Sequence, residues 1–388
     1  MIERELAAKL LDLAQKFPVV SLTGPRQSGK TTLVRAVFPD LPYVSLEEPD
    51  IRQFALNDPR GFLANFKQGA ILDEAQHTPD LFSYVQTIVD ARPDIQYVLT
   101  GSANFLLMEQ ISQTLAGRSA ILNLLPFSLT ELAAAGYKFT QYEEAIFTGQ
   151  YPPIYDRQIP PADFYPAYLQ TYIERDVRLL KNIADLNGFV QFVQLCAGRT
   201  GQLLNYSSLA NDAGISPNTA KAWLSVLETS FVVYQLRPYH QNFTKRLVKS
   251  PKLYFYDTGL ACNLLGIQTA EQVSTHYLKG ALFENLVINE FVKRSLNQGQ
   301  RQYPYFWRDN HGKEIDCLLV DGEQVTAVEI KAGKTISNSY FRNLHYWQKL
   351  QEESPANKPG KSVVVYGGQT TLKMDVGSLI SWRDLDTI

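Results

Sequence analysis

Gly24-Pro25-Arg26-Gln27-Ser28-Gly29-Lys30-Thr31 fits the spacing G-x-x-x-x-G-K-[ST], and its flanks decide what that spacing means. Phe17-Pro18-Val19-Val20-Ser21-Leu22 before it predicts a short buried strand, and Thr32-Leu33-Val34-Arg35-Ala36-Val37 after it predicts the start of a helix. Strand, glycine-rich loop and helix, in that order, make a phosphate cradle. The glycines let backbone N–H groups turn inward, and the helix N-terminus adds partial positive charge. In this reading Gly24, Pro25, Arg26, Gln27, Ser28, Gly29, Lys30, Thr31 and Thr32 bind a nucleotide. Lys30 binds its phosphates and Thr31 holds Mg²⁺.

Downstream, short apolar runs at residues 43–46, 69–74 and 96–100 are separated by more polar, helix-like segments. Buried runs alternating with helices predict a parallel sheet covered on both faces. The run Ala70-Ile71-Leu72-Asp73-Glu74 ends in two adjacent carboxylates, and ligands of open α/β sheets sit at the carboxyl ends of strands. Asp73 is placed to hold the Mg²⁺ that Thr31 touches, and Glu74 to orient or deprotonate a water. Taken alone, such a pair is an ordinary solvated strand end; behind a phosphate loop it reads as the metal-and-base pair of the Walker A and Walker B arrangement. Thr100-Gly101-Ser102-Ala103-Asn104 ends the next strand, so Ser102, then Asn104, can report on the γ-phosphate or cap the following helix. Arg118 follows that helix and is either a surface residue or the charge that stabilises a transferring phosphoryl group.

At 388 residues the chain is too long for one ordinary core, and 45% apolar with 20% charged residues describes a globular protein. No apolar run approaches the roughly 20 residues of a membrane span, and the start Met1-Ile2-Glu3-Arg4-Glu5 is no signal peptide. Cys196, Cys262 and Cys317 lie far apart, which suits a reducing cytoplasm, and neither they nor the five histidines have metal-ligand spacing. A net charge of −2 does not announce nucleic-acid binding, although a local basic patch can exist on a neutral whole.

The phosphate loop, the Asp73-Glu74 pair, Leu99-Thr100-Gly101-Ser102, and Leu115-Ala116-Gly117-Arg118 up to Pro126-Phe127-Ser128-Leu129-Thr130-Glu131 together resemble the prokaryotic AAA-type ATPases that carry a C-terminal domain of unknown function, the family numbered 4143. The resemblance covers essentially the whole chain. It implies a P-loop NTPase sheet and an ATPase, and it says little about biological role.

Residues 1–150 are assigned to the ATPase domain, and Gly149-Gln150-Tyr151-Pro152-Pro153 marks a boundary or hinge. Residues 151–260 read as a helical connector and winged helix. Within them Arg175, in the family-like Tyr172-Ile173-Glu174-Arg175-Asp176-Val177, is either a trans-acting or sensing arginine or part of a salt-bridged helix face. Ser207 to Leu224 has the cadence of a helix-turn-helix, with a helix ending at Gly214, a serine cap and Pro217 early in the next helix. β-like segments near 231–236 and 253–256 flank the basic stretch Lys245-Arg246-Leu247-Val248-Lys249. The outline is a winged helix, a fold that often reads DNA. However, residues 216–228 offer only Lys221 as a cation, which favours protein or interdomain packing.

Residues 261–388 predict an amphipathic helix over 283–292 and strands over 305–308, 312–320 and 325–331. Asp316 opening a hairpin, with Glu329-Ile330-Lys331 on the next strand, looks like the D and E-x-K elements of a restriction-endonuclease-like core. Glu329 and Lys331 share a strand face, so two carboxylates and Glu284 would hold a second divalent metal and the lysine would activate a water. The same residues can equally pair with one another.

The chain is therefore expected to be α/β: an AAA-type parallel sheet, a helical and winged-helix region, then a small restriction-endonuclease-like α/β domain. Its expected activity is Mg²⁺-dependent ATP hydrolysis by Lys30, Thr31, Asp73 and Glu74, with Arg118 or Arg175 and Ser102 assisting. The coupled output is action on duplex or branched DNA, in a cytoplasmic homo-oligomer. A nucleotide switch acting on a protein partner and an ATP-gated nuclease are the alternatives.

Overall fold

The computed structural model describes the chain except residues 1, 93, 102–113, 173–182, 184, 240–248, 301–302, 353–357 and 375–376, and the side chains of 172, 358 and 359. Ser102, Asn104, Arg175, Lys245 and Arg246 therefore lie outside the described residues.

Strands β1 (Val19–Thr23), β2 (Tyr43–Ser45), β3 (Gly69–Asp73), β4 (Gln96–Gly101) and β5 (Ser119–Asn123) form a parallel sheet of order β2-β3-β4-β1-β5. β1 and β3 are buried along their whole length, as strands covered on both faces must be. Successive residues serve opposite faces. Val20, Leu22, Ile71 and Val98 pack under helices Leu6–Ala14 and Lys30–Val37, whereas Val19, Ala70, Leu72, Tyr97 and Leu99 pack under Pro59–Ala64 and Leu81–Ala91. β4 lies between the phosphate-loop strand β1 and the carboxylate strand β3 and places Thr100 beside Asp73.

The core of this sheet stops at Leu124; Leu125 already belongs to a second core that reaches the C-terminus. Helix Tyr142–Thr148 packs there, against helices Thr258–Leu264 and Ala270–Thr275. The hydrophobic packing thus passes from one core to the other near residue 125. The Tyr/Pro stretch at 149–153 is not an exposed hinge. Tyr151, Pro152 and Pro153 are buried, the Gln150 N–H donates to Asp257 Oδ2 at 2.8 Å, and Gly149 has φ 66° with Tyr165 Oη where a Cβ would go. Aromatic burial has overridden the breaker signal of the prolines.

Helices Tyr206–Asp212 and Pro217–Thr229 form the helix-turn-helix, with Ser216 Oγ accepting from the Thr219 N–H at 3.0 Å. Antiparallel β6 (Val233–Leu236) and β7 (Lys252–Phe255) follow. On the second helix Lys221 is exposed while Ala220, Trp223, Leu224, Val226 and Leu227 are buried.

Helix Lys279–Asn297 differs from the amphipathic helix expected over 283–292. It is longer, and twelve of its residues are buried. Its polar side chains brace the core: Asn285 accepts from the Phe255 N–H at 3.0 Å and donates to the Phe255 carbonyl at 2.8 Å, and Asn289 donates to the same carbonyl at 3.0 Å. Beyond it β8 (Tyr305–Arg308), β9 (Glu314–Asp321), β10 (Gln324–Lys331), β11 (Lys358–Tyr366), β12 (Leu372–Met374) and β13 (Gly377–Ser381) build a six-stranded mixed sheet. Its order is β12-β13-β11-β10-β9-β8, with β8, β9 and β10 antiparallel and β10, β11 and β13 parallel. No helix among the described residues is long and apolar enough to cross a membrane.

Candidate nucleotide site

The loop between β1 and helix Lys30–Val37 turns through Gly24 at φ 150° and Gly29 at φ 90°. A Cβ on Gly24 would sit 2.1 Å from the Leu124 carbonyl oxygen, so the close approach of loop and β5 end demands glycine. Lys30 is buried in the loop, and its ammonium donates to the carbonyls of Gly24 at 3.0 Å and Pro25 at 2.7 Å. The Ser28 hydroxyl is buried and has no hydrogen-bond partner among the described residues. A phosphate would offer acceptors to both groups.

At the end of β3 the two carboxylates separate. Asp73 is buried and accepts from Thr31 Oγ1 at 2.7 Å, Tyr43 Oη at 2.8 Å, the Glu74 N–H at 3.1 Å and Thr100 Oγ1. Burial, then the neighbouring Asp73 charge, pushes the Tyr43 phenol up, which keeps it a donor to that carboxylate. Glu74 adopts the left-handed conformation, φ 51°, and lines the cleft instead. Its carboxylate accepts from Gln76 Nε2. The left-handed turn at Glu74, just past the end of β3, is what aims the two neighbouring carboxylates in different directions.

The cleft holds about 680 Å³. One wall is the loop, with Arg26, Gln27, Gly29, Lys30, Thr31 and Thr32; Glu74 stands beside it; and the far wall is Pro152, Pro153, Asp156, Arg157 and Thr171. That far wall was missed in the sequence, where the two prolines read as a boundary. The adjacent helix Pro152–Asp156 is too short to carry a periodic signal. Arg4 was missed as well. It is buried under the loop and donates to the Ser28 carbonyl at 2.8 Å, the Leu125 carbonyl at 2.6 Å and Glu131 Oε1 at 3.0 Å.

Arg118 stands away from the phosphate loop. Its carbonyl accepts from the Val19 N–H, at the start of β1, whereas the phosphate loop leaves the other end of that strand, about 13 Å away at ~3.3 Å per residue. Its guanidinium instead makes a two-pronged pair with Asp90, at 2.5 and 2.9 Å. The arginine in the cleft from this part of the chain is Arg157.

In the C-terminal domain Asp316, Glu329 and Lys331 come together and Glu284 faces Lys252, so cations of the protein itself meet the acids. Lys331 Nζ lies 2.9 Å from Asp316 Oδ2 and 2.5 Å from Glu329 Oε2, and the Ile330 N–H also donates to Asp316 at 2.8 Å. Buried Lys252, from β7, lies 2.9 Å from Glu284 and 2.5 Å from Glu314, and Tyr254 Oη donates to Glu284. Burial, then the charge of Asp316, pushes the Glu329 carboxyl up to about 8. Burial, with Asp316 adding to it and Lys252 opposing, pushes Glu284 up as well. Among the described residues no three His, Cys, Asp or Glu side chains converge as a metal site, and Glu284, Asp316 and Glu329 each stand against a lysine. Lys252 carried no sequence signal, because the partner acids lie 32 and 62 residues away on other elements.

The strand order, the loop and the Thr31–Asp73 pair define a P-loop protein of the AAA type. The AAA domain matches residues 16–133, a domain of unknown function (DUF8612) residues 139–271, and a domain of unknown function (DUF4143) residues 279–385. The uncharacterized protein Rv2008c of Mycobacterium tuberculosis is 30% identical over 341 residues, which are 87% of this chain and 75% of that one. An uncharacterized protein of Haemophilus influenzae is 22% identical over 276 residues, 67% of this chain and 64% of that one. Among solved structures, the Walker-type ATPase PABY2304 of Pyrococcus abyssi is similar at 16% identity and TM-score 0.42, over 68% of this chain and 96% of that one. The chain belongs to the family of AAA-domain proteins with a C-terminal DUF4143 domain, which it shares with the mycobacterial protein.

Proposed function

We propose that the protein is a Mg²⁺-dependent ATPase whose hydrolysis rearranges the winged-helix and nuclease-like half, with DNA as the object acted on. The observation that carries the reading is the pairing of Thr31 with Asp73 at 2.7 Å beside Lys30 and Glu74 in one cleft. A hydroxyl and a carboxylate are hard oxygen donors, and the hydroxyl groups that hold Asp73 among the described residues are neutral, so Thr31 and Asp73 fit Mg²⁺ and would hold it. Bound with the nucleotide, Mg²⁺ supplies neutralisation of the phosphate charge. Lys30 trades its two loop carbonyls for phosphate oxygens, the loop N–H groups orient them, and Glu74 takes a proton from, or orients, the attacking water. Arg157 and Arg26 are the arginines positioned to meet developing negative charge, with Ser102 and Arg175 as further contributors, Arg175 from the same or a neighbouring copy.

Support for DNA as the object is architectural: a helix-turn-helix with a hairpin precedes a mixed sheet bearing Asp316 and Glu329-Ile330-Lys331 in hairpin register. The decisive experiment is ATP turnover by wild type and Lys30→Ala, with and without duplex, single-stranded and branched DNA. Turnover that rises with DNA and vanishes in Lys30→Ala supports the reading; turnover indifferent to every DNA points to a nucleotide switch acting on a protein, which the single exposed cation, Lys221, on the second helix favours.

A further inference from the structure

The segment Phe127-Ser128-Leu129 is gripped from two sides by buried charges. On the ATPase side, Glu131 accepts from the Ser128 N–H at 2.8 Å and from Arg4 Nε at 3.0 Å, and Arg4 in turn holds the Ser28 carbonyl of the phosphate loop at 2.8 Å. The Arg4 guanidinium also stands 4.7 Å over the Phe127 ring. On the other side, Glu290 of helix Lys279–Asn297 accepts from the Leu129 N–H at 2.6 Å and pairs with Lys293 at 2.9 Å, while Lys293 donates to the Phe127 carbonyl at 2.8 Å. Arg4, Glu131, Glu290 and Lys293 are all buried. Two turns earlier, the same helix presents Glu284 to Lys252 and Tyr254.

We propose that Arg4 is a positioning residue for the phosphate loop, and that the buried chain Arg4–Glu131–residues 127–129–Glu290/Lys293 couples the loop's shape to the C-terminal helix. The proposal rests on the nucleotide reading of that loop. The physical reason is that buried charges tolerate few arrangements. Each of the four is satisfied by a specific partner, so a shift of the Ser28 carbonyl on nucleotide entry cannot be absorbed by solvent. It moves Arg4, hence Glu131, hence the 127–129 backbone that Glu290 and Lys293 hold. The planar fork of arginine serves three acceptors at once, which a lysine head cannot reproduce in the same geometry. Glu290 lies outside the cleft, so its substitution reads the coupling without touching a nucleotide-lining residue.

The test uses the full chain. Amide hydrogen exchange of the peptide covering residues 24–37 is measured without nucleotide, and the affinity for a Mg²⁺-bound non-hydrolysable ATP analogue is measured in parallel, for wild type, Arg4→Lys, Glu290→Gln and the double variant. The expected result is faster loop exchange and about tenfold weaker binding in Glu290→Gln, with the double variant no worse than Arg4→Lys alone. Unchanged exchange and affinity in a folded Glu290→Gln, or effects that simply add in the double variant, overturn the proposal. Should Glu290→Gln fail to fold, wild type decides by reciprocity: the analogue must alter exchange over residues 127–131 and 286–297, and no change there overturns it. A wild type that binds no nucleotide sinks the ATPase reading on its own, and loop exchange in the absence of nucleotide still judges the coupling.

Discussion

Two clusters in this molecule use the same residue types to opposite ends. At the phosphate loop, Asp73 is held by three hydroxyls and one backbone N–H, all neutral, beside an open cleft. In the C-terminal domain, Glu284, Glu314, Asp316 and Glu329 are held by the ammonium groups of Lys252 and Lys331. Neutral donors orient a carboxylate and leave its charge to attract a cation; ammonium donors spend that charge. In the proposed function the first cluster receives Mg²⁺, whereas the second is already neutralised in part by the protein's own lysines. Acid and lysine at the right spacing therefore say where chemistry could occur, and the partner of each acid says whether the site is open.

Four measurements would break or sharpen this contrast. Glu74→Gln should lower ATP turnover by about 10³-fold while nucleotide binding persists, since only the general base or water-orienting role is lost; equal loss of binding would remove Glu74 from the mechanism. Asp73→Asn should weaken the Mg²⁺ dependence of nucleotide binding by roughly 100-fold in a metal titration, because the amide keeps hydrogen bonds to its neighbours but not the charge. Lys252→Met leaves Glu284 and Glu314 with less buried compensation, so thermal denaturation should show Tm lower by about 5 °C, and Mn²⁺ should recover part of the loss only in the variant. A variant whose Tm ignores Mn²⁺ would mean that the C-terminal cluster has no metal-binding role even when opened. Arg118→Ala should leave turnover within about twofold of wild type, because an exposed pair with Asp90 at the far edge of the sheet touches nothing in the cleft. A large loss there would indicate that Arg118 acts on a neighbouring copy.

The parallel sheet was legible because each of its features is local. Val19-Val20-Ser21-Leu22 is a continuous apolar run, the glycines of the loop are required by its backbone, and Asp73-Glu74 ends a run of buried residues. The hairpin carrying Asp316 and Glu329 was legible for the same reason, since strand alternation fixes which side chains share a face. Arg4, Asp156, Arg157 and Lys252 were not, because each acts on residues distant in the chain. Arg4 reaches Leu125 and Glu131 across more than 120 positions, in a stretch whose composition resembles any charged N-terminus.

By itself the sequence determined the P-loop sheet, the loop and strand end that carry Lys30, Thr31, Asp73 and Glu74, and the hairpin that carries Asp316 and Glu329, since periodicity and turn chemistry depend on neighbours a few residues apart. Only the tertiary structure decided which charges meet. It brought the 152–157 segment over the loop, sent Arg118 to the opposite edge, and closed Glu284 against Lys252. The physical reason is that burial makes a charge choose its partner by position in space, and that choice leaves no trace in spacing along the chain.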